Sequence, residues 1–355
     1  MLSLFNSLMF HKALRLMAVL AALLFGCFLY VALIGVSIDA SRLRDKIALM
    51  LTENFGREVH FDGPLQLEIS AHPKLIVGGL HIANAMGFTG NEFANLREAQ
   101  LALNLWPLLR LRLQIDELSG SDVHIRLQLN KNGSNNWAFN PSGQKQEVVQ
   151  SPAREHAVSM EFGNLLARLD IKRVSLEKLD VKFIDANATS HFFELQSLAA
   201  QFPAGKPVTL SLHGTIEKVY PYKLDFTGGI TADLAHFDKP WPIDLTLGFM
   251  SSRLSLKGGV SGSTGVIKFD LGTNDLGEFE RLLQTKMPAV GVSRISGAIK
   301  YAPGKVAFDN LSGFMGQTTL KGSLNFNYSG ERPRVQGELT LPVLDLRPFI
   351  TEQLL

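Results

Sequence analysis

The sequence predicts a mainly β protein in which an N-terminal transmembrane helix is followed by an elongated antiparallel β-sheet and a few short helices. Three observations predict it. Leu16 to Ile38 runs without one charged side chain. The roughly 300 residues that follow are short alternating strands rather than further hydrophobic helices. A body of about 315 residues exceeds the usual size of a single core, which favours two subdomains or an elongated sheet.

At about 1.5 Å rise per residue, the uncharged stretch makes a helix on the order of 34 Å long, enough to cross a hydrocarbon core of about 30 Å. A cleaved secretory signal has an apolar core of about 7 to 15 residues and an Ala-x-Ala-like site, whereas this core is longer and no such site follows. Leu24-Phe25-Gly26-Cys27 is similar to a lipoprotein box, but Phe25 is bulky for its position and the apolar run continues through Phe28-Leu29-Tyr30-Val31. A retained anchor over residues 16–38, with residues 1–15 as a cytoplasmic tail, is the expectation. Lys12 and Arg15 precede the helix and Arg42, Arg44 and Lys46 follow it, so flanking charge alone does not orient it. Long domains translocate largely regardless of such charges, and the body is placed outside.

Composition narrows the function. The sole cysteine, Cys27, lies in the apolar stretch, so the body has no disulfide, no Cys-ligated zinc and no cysteine nucleophile. Net charge is +2, without a dense Lys/Arg stripe, and nucleic acid is not an expected partner.

After the anchor, Asp39 or Ser41 caps a helix whose apolar positions Leu43, Ile47, Leu51 and Phe55 recur every fourth residue, with Gly56 as its stop. Strands follow by their period of two. Leu65 and Leu67, then Leu101 and Leu103, then Val123, Ile125 and Leu127 alternate with small or polar neighbours. The series continues through Val181 and Phe183, Leu210 and Leu212, Leu245 and Leu247, Ile267 and Phe269, and Leu320, Leu324 and Phe326. Each strand has one apolar and one wet face. Residues 140–160, rich in Ser, Gln and Pro, read as a flexible loop or linker between a helix-and-strand unit at 39–139 and a repeated strand region at 161–355. Asp275 starts a brief amphipathic helix with Leu276, Phe279, Leu282 and Leu283.

A repeat runs through the strands. The apolar spacing i, i+2, i+5 occurs at Leu75, Val77, Leu80; at Leu113, Ile115, Leu118; at Leu169, Ile171, Val174; at Phe193, Leu195, Leu198; and at Val306, Phe308, Leu311. Two copies extend ungapped, with Leu118, Val123, Ile125 and Leu127 corresponding to Val174, Leu179, Val181 and Phe183. An odd step in a period-two pattern flips the face, so each copy predicts a bulge or short turn that resets it.

The search for chemistry returns little. His60, His72 and His81 are the nearest approach to a histidine cluster and read as solvent-facing strand residues; no His-Glu-x-x-His pair is present. No nucleophile elbow, phosphate loop or dinucleotide fingerprint occurs. Glycines at Gly228-Gly229, Gly258-Gly259 and Gly262 are expected at sharp bends that need positive φ. Neither an enzyme activity, a cofactor nor a metal is expected.

Several pieces fall in a recognisable order. Asn54-Phe55-Gly56-Arg57-Glu58-Val59 closes the short helix; Gly63-Pro64-Leu65-Gln66-Leu67 and Pro73-Lys74-Leu75 lead to Leu80-His81-Ile82-Ala83-Asn84. Leu105-Trp106-Pro107-Leu108-Leu109 and the Gly133-Ser134-Asn135-Asn136-Trp137 turn come next. Ile295-Ser296-Gly297, Leu311-Ser312-Gly313, Leu320-Lys321-Gly322-Ser323-Leu324, Arg332-Pro333 and Leu344-Asp345-Leu346 follow near the C-terminus. In this order the chain resembles the AsmA family, although it stops at Leu355 where relatives usually continue, as a short member or a truncated reading frame.

The resemblance implies a single-pass inner-membrane protein of Gram-negative bacteria with a periplasmic body, related to the bridge-like lipid transfer proteins that include the TamB relatives. It implies a sheet curled into a groove whose concave face is apolar, with the strand residues named above from Leu65 to Phe326 as lining candidates. The expected function is non-enzymatic support of outer-membrane assembly by binding or conducting phospholipid acyl chains, with the inner membrane and other envelope assembly proteins as partners. The alternative is an envelope scaffold or regulator that binds proteins through strand edges, and a closed sandwich remains open beside the groove.

Overall fold

The computed structural model describes residues 35–70, 72–108, 114–139, 170–236, 238–280, 285–287, 290–330, 332–345 and 347, together with 23, 26 and 30. The predicted tail and the predicted loop at 140–160 lie outside the described residues, as does most of the predicted anchor. Among the described residues no helix is long and apolar enough to cross a membrane. The chain is mainly β and divides into two compact units, residues 1–123 with 134–171 and residues 124–133 with 172–355.

The first unit contains β1 (Val36–Asp39), β2 (Val59–Phe61), β3 (Leu65–Ile69), β4 (Lys74–Ala83), β5 (Glu92–Leu103), the first part of β6 (Gln114–Gln128) and the two-residue β7 (Asp170–Ile171). β1 corrects the anchor's predicted end. Val36 lies opposite Ile69 and Ile38 opposite Leu67 in an antiparallel pair with β3. Val36-Ser37-Ile38-Asp39 alternates, and a criterion that asks only for missing charge cannot separate a short alternating strand from an apolar helix.

Ser41–Leu43 forms a 3₁₀ turn, opened by the Ser41 N–H donating to Asp39 Oδ1 at 2.8 Å. Arg44–Phe55 forms helix α1 and ends where Gly56 adopts φ +66° and returns its N–H to the Thr52 carbonyl at 2.8 Å. β2 and β3 lie end to end along β4, which pairs with both and, on its other side, with β5. Where β2 gives way to β3, the two backbones nearly touch. A Cβ on Gly63 would sit 2.4 Å from the Gly78 carbonyl carbon, and Gly79 holds φ +58°.

The second unit begins in the last residues of β6 and continues as a meander of eleven strands. They are β8 (Arg173–Ile184), β9 (Ser190–Gln201), β10 (Pro207–Ile216), β11 (Tyr220–Ile230), β12 (Trp241–Phe249), β13 (Ser252–Val260), β14 (Gly265–Thr273), β15 (Ser293–Ala302), β16 (Lys305–Met315), β17 (Thr318–Asn327) and β18 (Arg334–Val343). Each strand pairs antiparallel with the next. Short turns make this possible: Glu217 and Lys218 hold φ of 51° and 60° between β10 and β11, the doubly left-handed form that matches strand twist. The predicted helix near Asp275 is one 3₁₀ turn, Leu276–Phe279, capped by Asp275 Oδ1 accepting from the Gly277 N–H at 2.8 Å. Leu282 and Leu283 lie outside the described residues.

The predicted odd steps are visible in the backbone of some copies, and in the extended pair the reset falls at the next step instead. Asp122 (φ 49°) and Lys178 (φ 55°) are left-handed at corresponding positions of the extended repeat, each just before an apolar residue, Val123 and Leu179. Gly79 (φ 58°) precedes Leu80 and Asn310 (φ 52°) precedes Leu311 in the same way. The register of β16 shifts between Phe308 and Leu311, as a bulge requires to return Leu311 to its face. Leu113 and Leu169 lie outside the described residues. The glycines named for bends behave differently: none of Gly228, Gly229, Gly258, Gly259 and Gly262 has a positive φ. Two of them are kept small by an aromatic ring, since a Cβ on Gly228 would lie 2.1 Å from Trp241 Cη2 and one on Gly229 would lie 2.7 Å from Trp241 Nε1.

Candidate functional site

In an antiparallel ladder, directly opposed residues share a face, so the register of the second unit gives the composition of each side. One row of opposed residues reads Leu198, Leu212, Leu224, Leu247, Leu254, Leu271, Ile295 from β9 to β15. A second, two residues along, reads Ala200, Leu210, Phe226, Leu245, Leu256, Phe269. Ile267, Ile299, Phe308 and Leu324 carry the same face on through β17. Apolar rows therefore cross the meander at right angles to its strands.

The burial of these rows decides what kind of surface they form. Of the two rows from β9, only Ala200 is buried; Leu271 is exposed and the others are half-buried. A core between two packed layers would enclose them. On this face the 3₁₀ turn 276–279 supplies Phe279, which stacks on Phe249 at 5.7 Å. The face continues to a terminal strand, β18, that is exposed along its whole length, with Val335 61% and Leu339 44% accessible.

The opposite face is polar. Asp225, Thr246, Ser255, Asp270, Ser296, Ser312 and Lys321 form its central row. Ion pairs lie on it: Lys257 Nζ to Asp244 at 2.8 Å, Arg294 Nη2 to Asp270 at 2.9 Å and Lys300 Nζ to Asp309 at 2.8 Å. Asp244 and Asp270 raise the pKa values of Lys257 and Arg294, while the Ser211 hydroxyl and then Lys223 hold Asp225 below the usual carboxylate range. Such exposed pairs are screened by solvent and add little to stability, but they commit this side to water.

The structure places Val181, Phe183, Leu210, Leu212, Leu245, Leu247, Ile267, Phe269, Leu320, Leu324 and Phe326 on the apolar face. Ile125 and Leu127 are half-buried in the part of β6 beside β8, where the Leu129 N–H donates to the Ile184 carbonyl at 2.9 Å. In the first unit Leu67 and Leu101 flank Leu75 in one row and Leu103 is half-buried, whereas Leu65 (2% exposed) and Val123 (9%) are enclosed in that unit's core.

A second convergence, in the first unit, joins segments far apart in sequence. Asn136 has no accessible surface and donates from Nδ2 to Asn84 Oδ1 at 2.9 Å; Asn84 in turn donates to the Thr89 and Gly90 carbonyls at 3.0 and 3.1 Å. Arg57, 8% exposed, donates to the Ala138 carbonyl at 3.0 Å and lies over the rings of Phe139 and Phe93 at 4.3 and 5.0 Å. Burial lowers the guanidinium pKa, and the two ring faces replace the water it loses. This arrangement ties the turn at 133–139 to the end of α1 and to the β4–β5 loop. It is a structural lock with no nucleophile or acid–base pair.

Arg57, Asn84 and Asn136 of that lock are among the residues that ordered the resemblance in sequence, and the sequence profile of the AsmA family matches residues 11–239. The chain belongs to the AsmA family. The match spans the AsmA lock and the meander through β11; β12 to β18 lie beyond it. No curated protein matches the chain. Of the three histidines singled out in this AsmA protein, His60 and His81 are opposed in register and stack at 4.8 Å, while His72 stands apart with Nε2 4.0 Å from Asp116.

Proposed function

We propose that this AsmA protein is a non-enzymatic, inner-membrane-anchored periplasmic protein that supports outer-membrane assembly by holding phospholipid acyl chains against the apolar face of its second unit. The observation that carries this reading is the set of half-buried apolar rows crossing the meander. Water contact with those rows is unfavourable, and covering them with acyl chain recovers about 25 cal/mol for each Å² removed from water. Headgroups remain in solvent. Family membership and the kinship with bridge-like lipid transfer proteins that the resemblance implies support the same reading, with the part of the uncharged stretch that precedes β1 as the anchor.

The test is in-cell photocrosslinking with a photoreactive residue at Phe269 or Leu324, against Lys268 and Ser323 on the opposite face, scoring radiolabelled phospholipid adducts. Adducts confined to Phe269 and Leu324 are expected. Their absence at all four positions in a folded protein would end the lipid reading and favour the second one. That reading, a scaffold that binds envelope proteins by adding a strand, draws on β18, whose exposed length is the kind of edge that templates pairing.

A further inference from the structure

The stacked histidines of the first unit belong to a constellation that lipid binding does not use. His60 on β2 and His81 on β4 are direct cross-strand partners, their rings parallel within 5° at a centroid separation of 4.8 Å. Asp62, one residue past the end of β2, reaches both: its Oδ2 lies 3.3 Å from His81 Nε2 and its Oδ1 lies 3.8 Å from His60 Nε2. The metal-binding atoms of His60, Asp62 and His81 all fall within 4.8 Å of one another. His81 Nδ1 is engaged on its other side by Glu92 Oε1 at 2.9 Å, and Glu92 is fixed through Oε2 by Asn95 Nδ2 at 3.0 Å.

We propose that His60 Nε2, His81 Nε2 and one Asp62 oxygen form a binding site for a single divalent late first-row transition ion of the Zn²⁺ type, with water completing the coordination. Two ligand atoms about 2.0–2.1 Å from a tetrahedral ion stand roughly 3.3 Å apart. The His81–Asp62 separation already has that value. His60 Nε2 lies 3.8 Å from the other oxygen, Oδ1, and its ring must turn out of the parallel stack to aim its in-plane lone pair at an ion held by His81 Nε2 and Asp62 Oδ2, a movement open to a side chain that is 50% exposed.

Two features separate this group from incidental surface histidines. The first is the partner behind His81: a histidine whose Nδ1–H donates to a carboxylate presents Nε2 as a bare lone pair, and this is the arrangement that orients metal-bound imidazoles. The second is the rigidity of the mounting. His60 and His81 stand on paired strands, and the Asp62 N–H is bound to the Gly79 carbonyl at 2.8 Å, directly beside the close approach of Gly63 and Gly78. The backbone that carries the carboxylate is thus fixed at the same contact that breaks β2 from β3, while the side chain itself, 68% exposed, is free to adjust to an ion. Two imidazoles and one carboxylate are a borderline-soft set that favours Zn²⁺ and its neighbours over Ca²⁺ or Mg²⁺.

The full chain, purified in detergent and stripped with chelator, should bind one Zn²⁺ by isothermal titration in a buffer that does not chelate it. His60→Gln, His81→Gln and Asp62→Asn should each weaken binding at least tenfold, and Glu92→Gln about tenfold to a hundredfold through loss of the orienting carboxylate. His72→Gln and His213→Gln should leave it unchanged. A second readout guards against misfolding: each variant keeps the wild-type circular dichroism spectrum, and Ca²⁺ or Mg²⁺ at equal concentration does not compete. Failure of the wild type to bind Zn²⁺ overturns the proposal. So does binding that survives in the folded His60→Gln and His81→Gln variants, or binding that His72→Gln reduces as much.

Discussion

Phe269→Ala, set beside Lys268→Ala, separates an apolar face that holds lipid from one that merely holds the sheet together. Phe269 is opposed by Leu256 on β13 and by Gly297 on β15, and meets Phe308 edge to face at 6.5 Å. It is half-buried, so its loss removes only part of the contact that a fully enclosed phenylalanine makes. A core Phe→Ala change costs about 3–5 kcal/mol, and a side chain packed on the sheet side alone should cost about 2 kcal/mol. The uncovered part is the piece available to an acyl chain. If about a fifth of roughly 200 Å² of phenylalanine surface is free, lipid contact removes about 40 Å² from water, close to 1 kcal/mol or about fivefold in retention. Lys268 points to the polar side, and its truncation should change stability by no more than about 0.5 kcal/mol. Urea unfolding gives the first quantity. Phospholipid retained per purified chain, measured by mass spectrometry below the unfolding transition, gives the second. Retention unchanged in a destabilised Phe269→Ala protein would refute the lipid assignment of this face, as would equal loss in Lys268→Ala.

Other substitutions test the architecture. Gly228→Val should lower stability by about 2–3 kcal/mol, because its Cβ would enter the Trp241 ring and lie 2.7 Å from Val208 Cγ2; thermal unfolding measures it, and a neutral result would contradict the seating of Trp241. Asn310→Gly should be neutral or slightly stabilising and Asn310→Val should cost about 1–2 kcal/mol, since φ is 52° there; equal midpoints for the two variants would argue against the bulge. Tyr222 donates to the Glu194 carbonyl at 3.1 Å, and burial pushes its pKa up to about 12. Its folded-state pKa lies above the unfolded value, so its contribution is complete below about pH 10 and is lost as pH rises through about 12. The alkaline fall in unfolding midpoint over that window should flatten in Tyr222→Phe.

The parts of the fold legible in the sequence were those set by local alternation. Leu245 and Leu247, or Ile267 and Phe269, announce a strand and its wet and dry sides because side chains alternate every residue. Two bulges are legible for the same reason, as odd steps before Leu311 and Leu80. Other features depend on contacts that no local window contains. Val36–Asp39 alternates for only four residues at the end of an uncharged stretch, and its partner strand lies about thirty residues on. Gly228 and Gly229 looked like bend residues because nothing local reveals that Trp241, on the next strand, will lie over them. Asn136 and Asn84, 52 residues apart, and Arg57 and Ala138, 81 apart, become partners only in the folded unit. His60 and His81 were noticed as residue types, but their register and the carboxylates around them required β2, β3 and β4 to be placed.

The two faces of the meander also bear on why an uncovered apolar surface is tolerated. Its ladder hydrogen bonds satisfy the backbone without help from a second layer, and the ion pairs of Asp244, Asp270 and Asp309 keep the other side wet. Neither supplies the hydrophobic burial that normally outweighs conformational entropy in a domain. Cross-strand packing within the rows supplies part of that burial and leaves most of these side chains half-buried. A ligand that covers the rows stabilises the folded state by mass action in proportion to its occupancy. Binding and stability are therefore coupled along the whole row, so that truncating Leu256 or Leu245 should weaken lipid retention at Phe269 as well as at its own position. A folded sheet whose stability is the same with and without phospholipid would mean that the rows are covered by protein instead, and β18 is the strand where such a partner would join.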